Sequence, residues 1–278
     1  MGSGHEIVIA FDLYGTLLST ESIAKELAVH FGNEKAASIA ALWRRYQLEY
    51  TWRLNSMSKT PVRTSGSPKK KGKNATCSRL RFADIYKPFS DITHASLKHA
   101  LAESSSATLS DEDIAQLMKA YDSLGTFPDV APGLQAIAAD DSIAAYVFSN
   151  GTDAMVASSV RSSPSLSPHA SVFKDLITVQ EIEAFKPDPQ VYVHLAKRVG
   201  KDSRGERGEV WLVSGNPFDV VGARAVGMQA AWVDRGGKGW VDQLGGLASG
   251  GPTIVVDGVE DAVRGIQRWV EENGKERM

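Results

Sequence analysis

Four segments of the 278-residue chain end apolar runs with small polar or ionisable residues. Asp12 closes the run Ile7 to Phe11 and is followed by Leu13-Tyr14-Gly15-Thr16, while Ser149-Asn150-Gly151 follows Ala144 to Phe148. Phe185-Lys186-Pro187-Asp188 lies just beyond Leu176 to Val179, and Ser214-Gly215-Asn216-Pro217-Phe218-Asp219 follows Val210 to Val213. Two carboxylates, one lysine and several small polar donors suit nucleophilic chemistry. Asp12 has a short side chain at the end of a buried strand, facing the amides of Leu13 to Thr16, and is a candidate covalent nucleophile. Lys186 would keep it ionised and meet an anionic substrate, and Asp219 would take a proton from water in a second step. A lone strand-end Asp reads more simply as a cap or turn residue. Four such strand ends in one chain weaken that simpler reading.

The same runs define the scaffold that holds these residues. Ile7 to Phe11, Ala144 to Phe148, Leu176 to Val179, Val210 to Val213, Ala230 to Val233 and Ile254 to Val256 are short, apolar and rich in β-branched residues, the pattern of strands buried on both faces. Helical patterns separate the later five, at Asp153 to Val160, Gln190 to Val199 and Val220 to Val226, and an amphipathic helix closes the chain from Val259 to Glu272. Such alternation predicts an α/β fold with a doubly wound, Rossmann-like parallel sheet. Ligands of such sheets bind outside the carboxyl ends of the strands, where the polar residues fall.

The stretch between the first two strands breaks this rhythm. Residues 21–124 show helical periodicity and no convincing strand, which is too long for a crossover and predicts an inserted helical module. The expected division is a core of residues 1–20 and 125–278 with a cap of residues 21–124. Its helices are predicted at Ser22 to Phe31, Lys35 to Trp52, Thr93 to Leu101 and Ser110 to Leu124, the last capped by Ser110 with acidic residues in its first turn. Residues 58–81 are foreign in composition, with Ser65-Gly66-Ser67-Pro68 and the basic run Lys69-Lys70-Lys71-Gly72-Lys73. They read as a solvated disordered insertion, with a polyanion-binding patch or a translated intron as alternatives.

Lys plus Arg numbers 31 against 33 Asp plus Glu, a formal charge of -2, so no global field draws nucleic acid or an anionic membrane. Hydrophobic residues make up 42% and charged residues 23%, as in ordinary globular chains, and no apolar run reaches the ~20 residues of a membrane span. The single cysteine, Cys77, cannot form an internal disulfide, which fits a reducing compartment. With no basic-then-apolar leader, a cytoplasmic location is expected.

In order, Asp12-Leu13-Tyr14-Gly15-Thr16, Ser149-Asn150-Gly151, Lys186-Pro187-Asp188 and Ser214 to Asp219 resemble the four motifs of the haloacid dehalogenase superfamily, which also inserts a helical cap after its first motif. Most of that superfamily are magnesium-dependent phosphatases with a second Asp two residues after the nucleophile and paired acids in the fourth motif. Here Tyr14, Ser214 and Asn216 replace those carboxylates. Tyrosine with a pKa near 10 is a poor general acid, and a hard cation prefers anionic oxygen. The pattern resembles instead the L-2-haloacid dehalogenases, whose halide leaving group needs no protonation and whose attack needs no metal or other cofactor.

The cap carries its own resemblance. Leu42-Trp43-Arg44-Arg45-Tyr46-Gln47-Leu48-Glu49-Tyr50-Thr51-Trp52 is similar to that family's signature helix, in which the arginine after Trp43 captures the halide. Arg44 and Leu48 share a helix face. Phe89 and Phe218 would offer positive ring edges to a weakly hydrated anion. The resemblance implies that Asp12 attacks a short 2-haloalkanoate and expels halide towards Arg44 and Asn150. Ser149, Lys186 and the amides near Leu13 and Tyr14 would hold the substrate carboxylate. Asp219, placed by Lys186, Ser214 and Asn216, would then activate water against the ester, and Thr16 and Tyr192 would line the site. The expected partners are the haloacid and halide, with no nucleic acid or membrane, and a homodimer is implied by resemblance alone. Two other readings stand beside this one: a phosphatase of the same fold, and a family member impaired by its cap insertion.

Overall fold

β1 (Ile7–Asp12) is buried from Val8 onward and forms the middle of the sheet, as its unbroken apolar run requires. The computed structural model describes residues 6–58, 85–104 and 109–274. With β2 (Ile143–Ser149), β3 (Phe173–Thr178), β4 (Val210–Ser214), β5 (Gln229–Val233) and β6 (Ile254–Val256) it makes a six-stranded sheet in the order β3-β2-β1-β4-β5-β6. Every pairing is parallel. Chain order reverses at β1, which lies between β2 and β4, so the crevice beyond Asp12 is the topological switch point. Asp12 pairs in register with Phe148, and Phe11 with Val213, which brings Ser149 and Ser214 up on either side.

All six expected strands are present, and their limits differ for physical reasons. β3 begins at Phe173, ahead of the expected Leu176, because an edge strand can carry charge on its open side. There Lys174 meets Glu6 and Asp175 meets Arg198. Helices α1 (Ala24–Phe31), α2 (Asn33–Ser58), α3 (Phe89–Ser104) and α4 (Asp111–Tyr121) form the module inserted between β1 and β2. α2 outruns its expected end at Trp52, so Ser58 is helical, and residues 59–81 of the expected insertion lie outside the described residues. Ser110 caps α4 reciprocally with Asp113. Trp43, the largest buried side chain of the cap, donates its indole N–H to the Thr93 carbonyl at 2.8 Å and so pins α2 on α3.

The remaining helices flank the sheet: α5 (Val130–Ala138), α6 (Asp153–Ser162), α7 (Pro189–Arg198), α8 (Pro217–Ala225), α9 (Leu244–Ala248) and α10 (Val259–Gly274). α5 and α9 are absent from the sequence reading, which missed the apolar face of Val130, Leu134 and Ile137 behind Pro132 and Gly133. α8 starts three residues earlier than Val220, because Pro217 occupies a first-turn position where a missing N–H is harmless. Asp219 therefore sits in the first turn of a helix. Among the described residues, no helix is long and apolar enough to cross a membrane.

Candidate active site

The Asp12 carboxylate is held by three donors. Lys186 Nζ donates to Oδ1 at 3.0 Å, while Thr16 Oγ1 and Asn216 Nδ2 each donate to Oδ2 at 2.7 Å. Two donors fill Oδ2 and one lies on Oδ1, which leaves Oδ1 the freer oxygen. Lys186 is 1% exposed, and its ammonium also donates to Asp219 Oδ2 and the Phe148 carbonyl, each at 2.8 Å. One buried cation thus serves two buried carboxylates. The Phe148 ring lies beneath it, 4.2 Å from Nζ to the centroid.

Asp219 is sealed from solvent, and its other oxygen accepts from the Tyr192 hydroxyl at 2.7 Å. Burial raises the Asp219 pKa, Lys186 opposes that rise and the Asp12 charge adds to it, so the net direction is upward. A carboxylate so placed is a stronger base than one in water. Of the three residues expected to place Asp219, Lys186 holds its carboxylate, joined by Tyr192, and Asn216 accepts the Asp219 amide on its backbone carbonyl at 3.1 Å. Ser214 Oγ instead accepts the Asn216 amide at 3.1 Å, which orients the Asn216 backbone.

Arg44 reaches the same point from α2. Its Nη2 donates to the Tyr14 carbonyl at 3.0 Å and to Asn216 Oδ1 at 3.2 Å, and Nη1 to Gln47 Oε1 at 2.8 Å. Asn216 therefore spans Asp12 and Arg44 with its two amide atoms. Gly15 permits this closeness with a positive φ of 88°, and a Cβ there would come within 3.4 Å of the Asn216 side chain. Two of the four amides expected to face the site are used in the turn, where Gly15 donates to the Leu18 carbonyl and Thr16 to that of Leu13. The turn is too tight to leave them open.

Around this centre, Ser149 Oγ accepts the Gly151 amide at 3.1 Å and Asn150 Oδ1 accepts the Lys186 amide at 2.9 Å. Leu13 is buried, and Leu48 is half-buried on the α2 face. Phe89 is buried and stacks on Tyr14 with centroids 5.9 Å apart, while Phe218 meets Trp52 edge to face at 5.4 Å. The Tyr14 hydroxyl pairs with Ser159 Oγ at 3.3 Å, and burial drives its pKa far upward. It is engaged there and stays protonated.

A strand-end aspartate, a buried lysine shared with a second aspartate, and an inserted helical module over the switch point now stand together. The model of the haloacid dehalogenase-like hydrolases matches residues 8–227. The chain belongs to this family. Among haloacid dehalogenase relatives, it is 31% identical to haloacetate dehalogenase H-2 of Moraxella sp. over 85% of this chain and 89% of that one. It is 30% identical to (S)-2-haloacid dehalogenase H-109 of Pseudomonas putida, with the same shares covered. The solved L-2-haloacid dehalogenase of Xanthobacter autotrophicus superposes with a TM-score of 0.72 at 25% identity, over 94% of this chain and 98% of that one. Another structure of that Xanthobacter enzyme holds covalently bound chloropropionic acid. The superfamily and the capped α/β fold expected from the motifs both stand.

The magnesium arrangement of the superfamily's phosphatases does not fit these residues. The Asp12 oxygens and the Tyr14 carbonyl, the oxygens a hard cation would need, receive N–H bonds from Lys186, Asn216 and Arg44. Two contributors to this dehalogenase-like site lie outside the residues expected from sequence. Gln47 orients Arg44 and accepts from the Tyr121 hydroxyl at 3.1 Å, and its spacing of three from Arg44 was a usable signal. The Phe148 carbonyl gave none.

Proposed function

We propose that the protein hydrolyses short L-2-haloalkanoic acids to D-2-hydroxyalkanoic acids through an ester on Asp12, without a metal. The observation that carries this reading is the Asp12 carboxylate held by Lys186, Thr16 and Asn216 with the Arg44 guanidinium next to Asn216. The relatives at 30–31% identity that are named as haloacid dehalogenases support it.

Asp12 Oδ1 attacks C2 from the side opposite the halogen, and the carbon–halogen bond breaks with its electron pair leaving on the halide. Lys186 keeps the nucleophile anionic. Arg44, a planar delocalised cation, receives the halide together with Asn150, among the rings of Phe89 and Phe218. Ser149, Lys186 and the backbone at Leu13 and Tyr14 hold the substrate carboxylate, beside Leu48. Water then attacks the ester carbonyl and gives one proton to Asp219, and the bond between the acyl carbon and the alkyl oxygen breaks. The departing alkoxide takes that proton back from Asp219 to leave as the hydroxy acid, and the second water proton is lost from the Asp12 carboxyl to solvent. Asp12 is restored, and the single inversion at C2 sets the D configuration.

On this reading residues 1–20 and 125–278 form the catalytic core and 21–124 the cap, in a cytoplasmic enzyme that acts as a homodimer, needs no cofactor and binds neither nucleic acid nor membrane. A phosphatase reading is disfavoured because Tyr14, in the position of its general acid, turns its hydroxyl to Ser159. The deciding assay is halide release from each enantiomer of 2-chloropropionate with and without chelator. Release is expected from the L enantiomer, resistant to chelator and abolished by Asp12→Ala. Magnesium-dependent phosphate ester hydrolysis with no halide release would overturn the proposal.

A further inference from the structure

Asn55 lies on the last turns of α2, outside the set of side chains around Asp12, yet it binds the residue next to Lys186. Its Nδ2 donates to the Phe185 carbonyl at 2.6 Å, and its Oδ1 accepts the Phe185 amide at 2.9 Å. One side-chain amide thus takes both backbone groups of a single residue, as a neighbouring strand would. The two are separated by 130 positions in sequence and belong to the cap and the core.

The chain beyond Phe185 is held as firmly from the other side. The Lys186 amide donates to Asn150 Oδ1 at 2.9 Å, so this backbone is gripped by an asparagine from the cap and one from the core. The Phe185 ring is 1% exposed, stacked on Tyr86 at 5.2 Å and tilted against Phe89 at 6.2 Å. From this anchorage the Lys186 stem must bring one ammonium to Asp12, Asp219 and the Phe148 carbonyl together. A backbone shift of about 1 Å is enough to break such geometry and costs reactions roughly 100-fold.

We propose that Asn55 is a positioning residue that carries the placement of cap helix α2 to the Lys186 ammonium, a role that rests on the dehalogenase reading above. When Asn55 holds Phe185, Lys186 stays between the two aspartates. When it does not, the ammonium withdraws and both carboxylates lose the charge that favours their ionised form.

The test compares Asn55→Leu, which keeps the volume without hydrogen bonds, with Asn55→Asp, which keeps the acceptor for the Phe185 amide but sets an anionic oxygen against its carbonyl. Ser56→Ala, at the exposed neighbouring position, is the control. Halide release from L-2-chloropropionate is followed across pH, and amide hydrogen exchange at Phe185 and Lys186 is followed in the substrate-free protein. The expected result for both Asn55 variants is a kcat/KM lower by about 10- to 100-fold. The acid limb should move to higher pH, and exchange at Lys186 should quicken roughly tenfold or more, scaled to a local opening of the backbone. Ser56→Ala should match the parent protein. Rapid exchange at Phe185 alone, with the acid limb unmoved, would make Asn55 a structural contact only and overturn the proposal. Absence of halide release from the parent would refute the dehalogenase reading, while the exchange at Lys186 would still decide whether Asn55 holds it.

Discussion

The Tyr192 hydroxyl donates to Asp219 Oδ1 at 2.7 Å in a place where both side chains are sealed from solvent. Burial and the neighbouring Asp219 charge drive the tyrosine pKa well upward, so the hydroxyl remains a donor throughout the working range. Its bond favours the ionised form of a carboxylate that burial pushes towards neutrality. Tyr192→Phe should therefore raise the Asp219 pKa further and move the acid limb of kcat to higher pH. Loss of a bond to a charged group is worth about 1.5–3 kcal/mol, so hydrolysis of the ester should slow roughly 10- to 100-fold. Mass spectrometry of quenched protein should then find the ester on Asp12 accumulating. Gly222→Ala offers a second route, since a Cβ there would lie 2.4 Å from the Tyr192 hydroxyl oxygen and force the ring away. If neither variant accumulates ester, Asp219 does not depend on Tyr192.

Removal of the shared cation tests the centre itself. Lys186→Met leaves Asp12 and Asp219 buried together with no ammonium between them. Breaking a buried pair from one side costs about 3–5 kcal/mol, partly relieved when a carboxylate takes up a proton. Such a raised folded pKa gives stability that is present below the unfolded value near 3.9 and lost as pH rises through the folded one. The melting temperature of Lys186→Met should thus fall further behind the parent between about pH 4.5 and 7.5, with halide release lost. A gap that does not widen with pH would contradict the two-carboxylate picture.

Arg44 is held as a fork, and a lysine has no fork. Nη1 faces Gln47 while Nη2 faces the Tyr14 carbonyl and Asn216, a span a single ammonium cannot reproduce. Arg44→Lys should therefore lose activity nearly as fully as Arg44→Ala, by roughly 100-fold or more if it misplaces the anion site. Gln47→Leu should fall between parent and Arg44→Lys, because Arg44 keeps its bonds to Tyr14 and Asn216. Retention of most halide release by Arg44→Lys would show that charge alone suffices.

β1, β2, β4 and β5 were legible because each carries a compact apolar run closed by polar residues, whereas in β3 only the end is apolar, behind Lys174 and Asp175. Asp12, Lys186, Asn216 and Asp219 were legible for the same reason, since a parallel sheet gathers strand ends in one crevice. Relationships decided by side-chain direction were not. Nothing in the order of residues says that Asp219 turns to Tyr192 and away from the Asn216 side chain, or that Asn55 meets Phe185 across 130 positions. α5 escaped because Pro132 and Gly133 interrupt a short apolar face, although its place against α10 makes it part of the core. The ends of α2, α7 and α8 shifted by a few residues, as prolines and continuing contacts moved the boundaries.

Asp129 supplies a prediction at the back of the site. Arg235 grips it with two bonds, Nε at 2.8 Å and Nη2 at 2.7 Å, while Nη2 also donates to the Thr16 carbonyl at 2.8 Å and the guanidinium lies 3.8 Å from the Phe127 ring centroid. Asp129 also accepts the Val259 amide at the start of α10, at 2.8 Å. Burial alone would raise the Asp129 pKa, but the bonds from Arg235 and Val259 outweigh it and the net direction is downward. A folded pKa below the unfolded value near 3.9 gives stability that is present above that value and lost as pH falls through the folded one. Thermal unfolding of the parent and Asp129→Asn should accordingly differ most near neutrality and converge as pH falls below about 4. Arg235→Lys, which keeps the charge but not the fork, should recover only part of the difference from Arg235→Ala. Parallel melting curves for the parent and Asp129→Asn across that range would mean that the clamp on Thr16 does not draw its strength from the Asp129 charge.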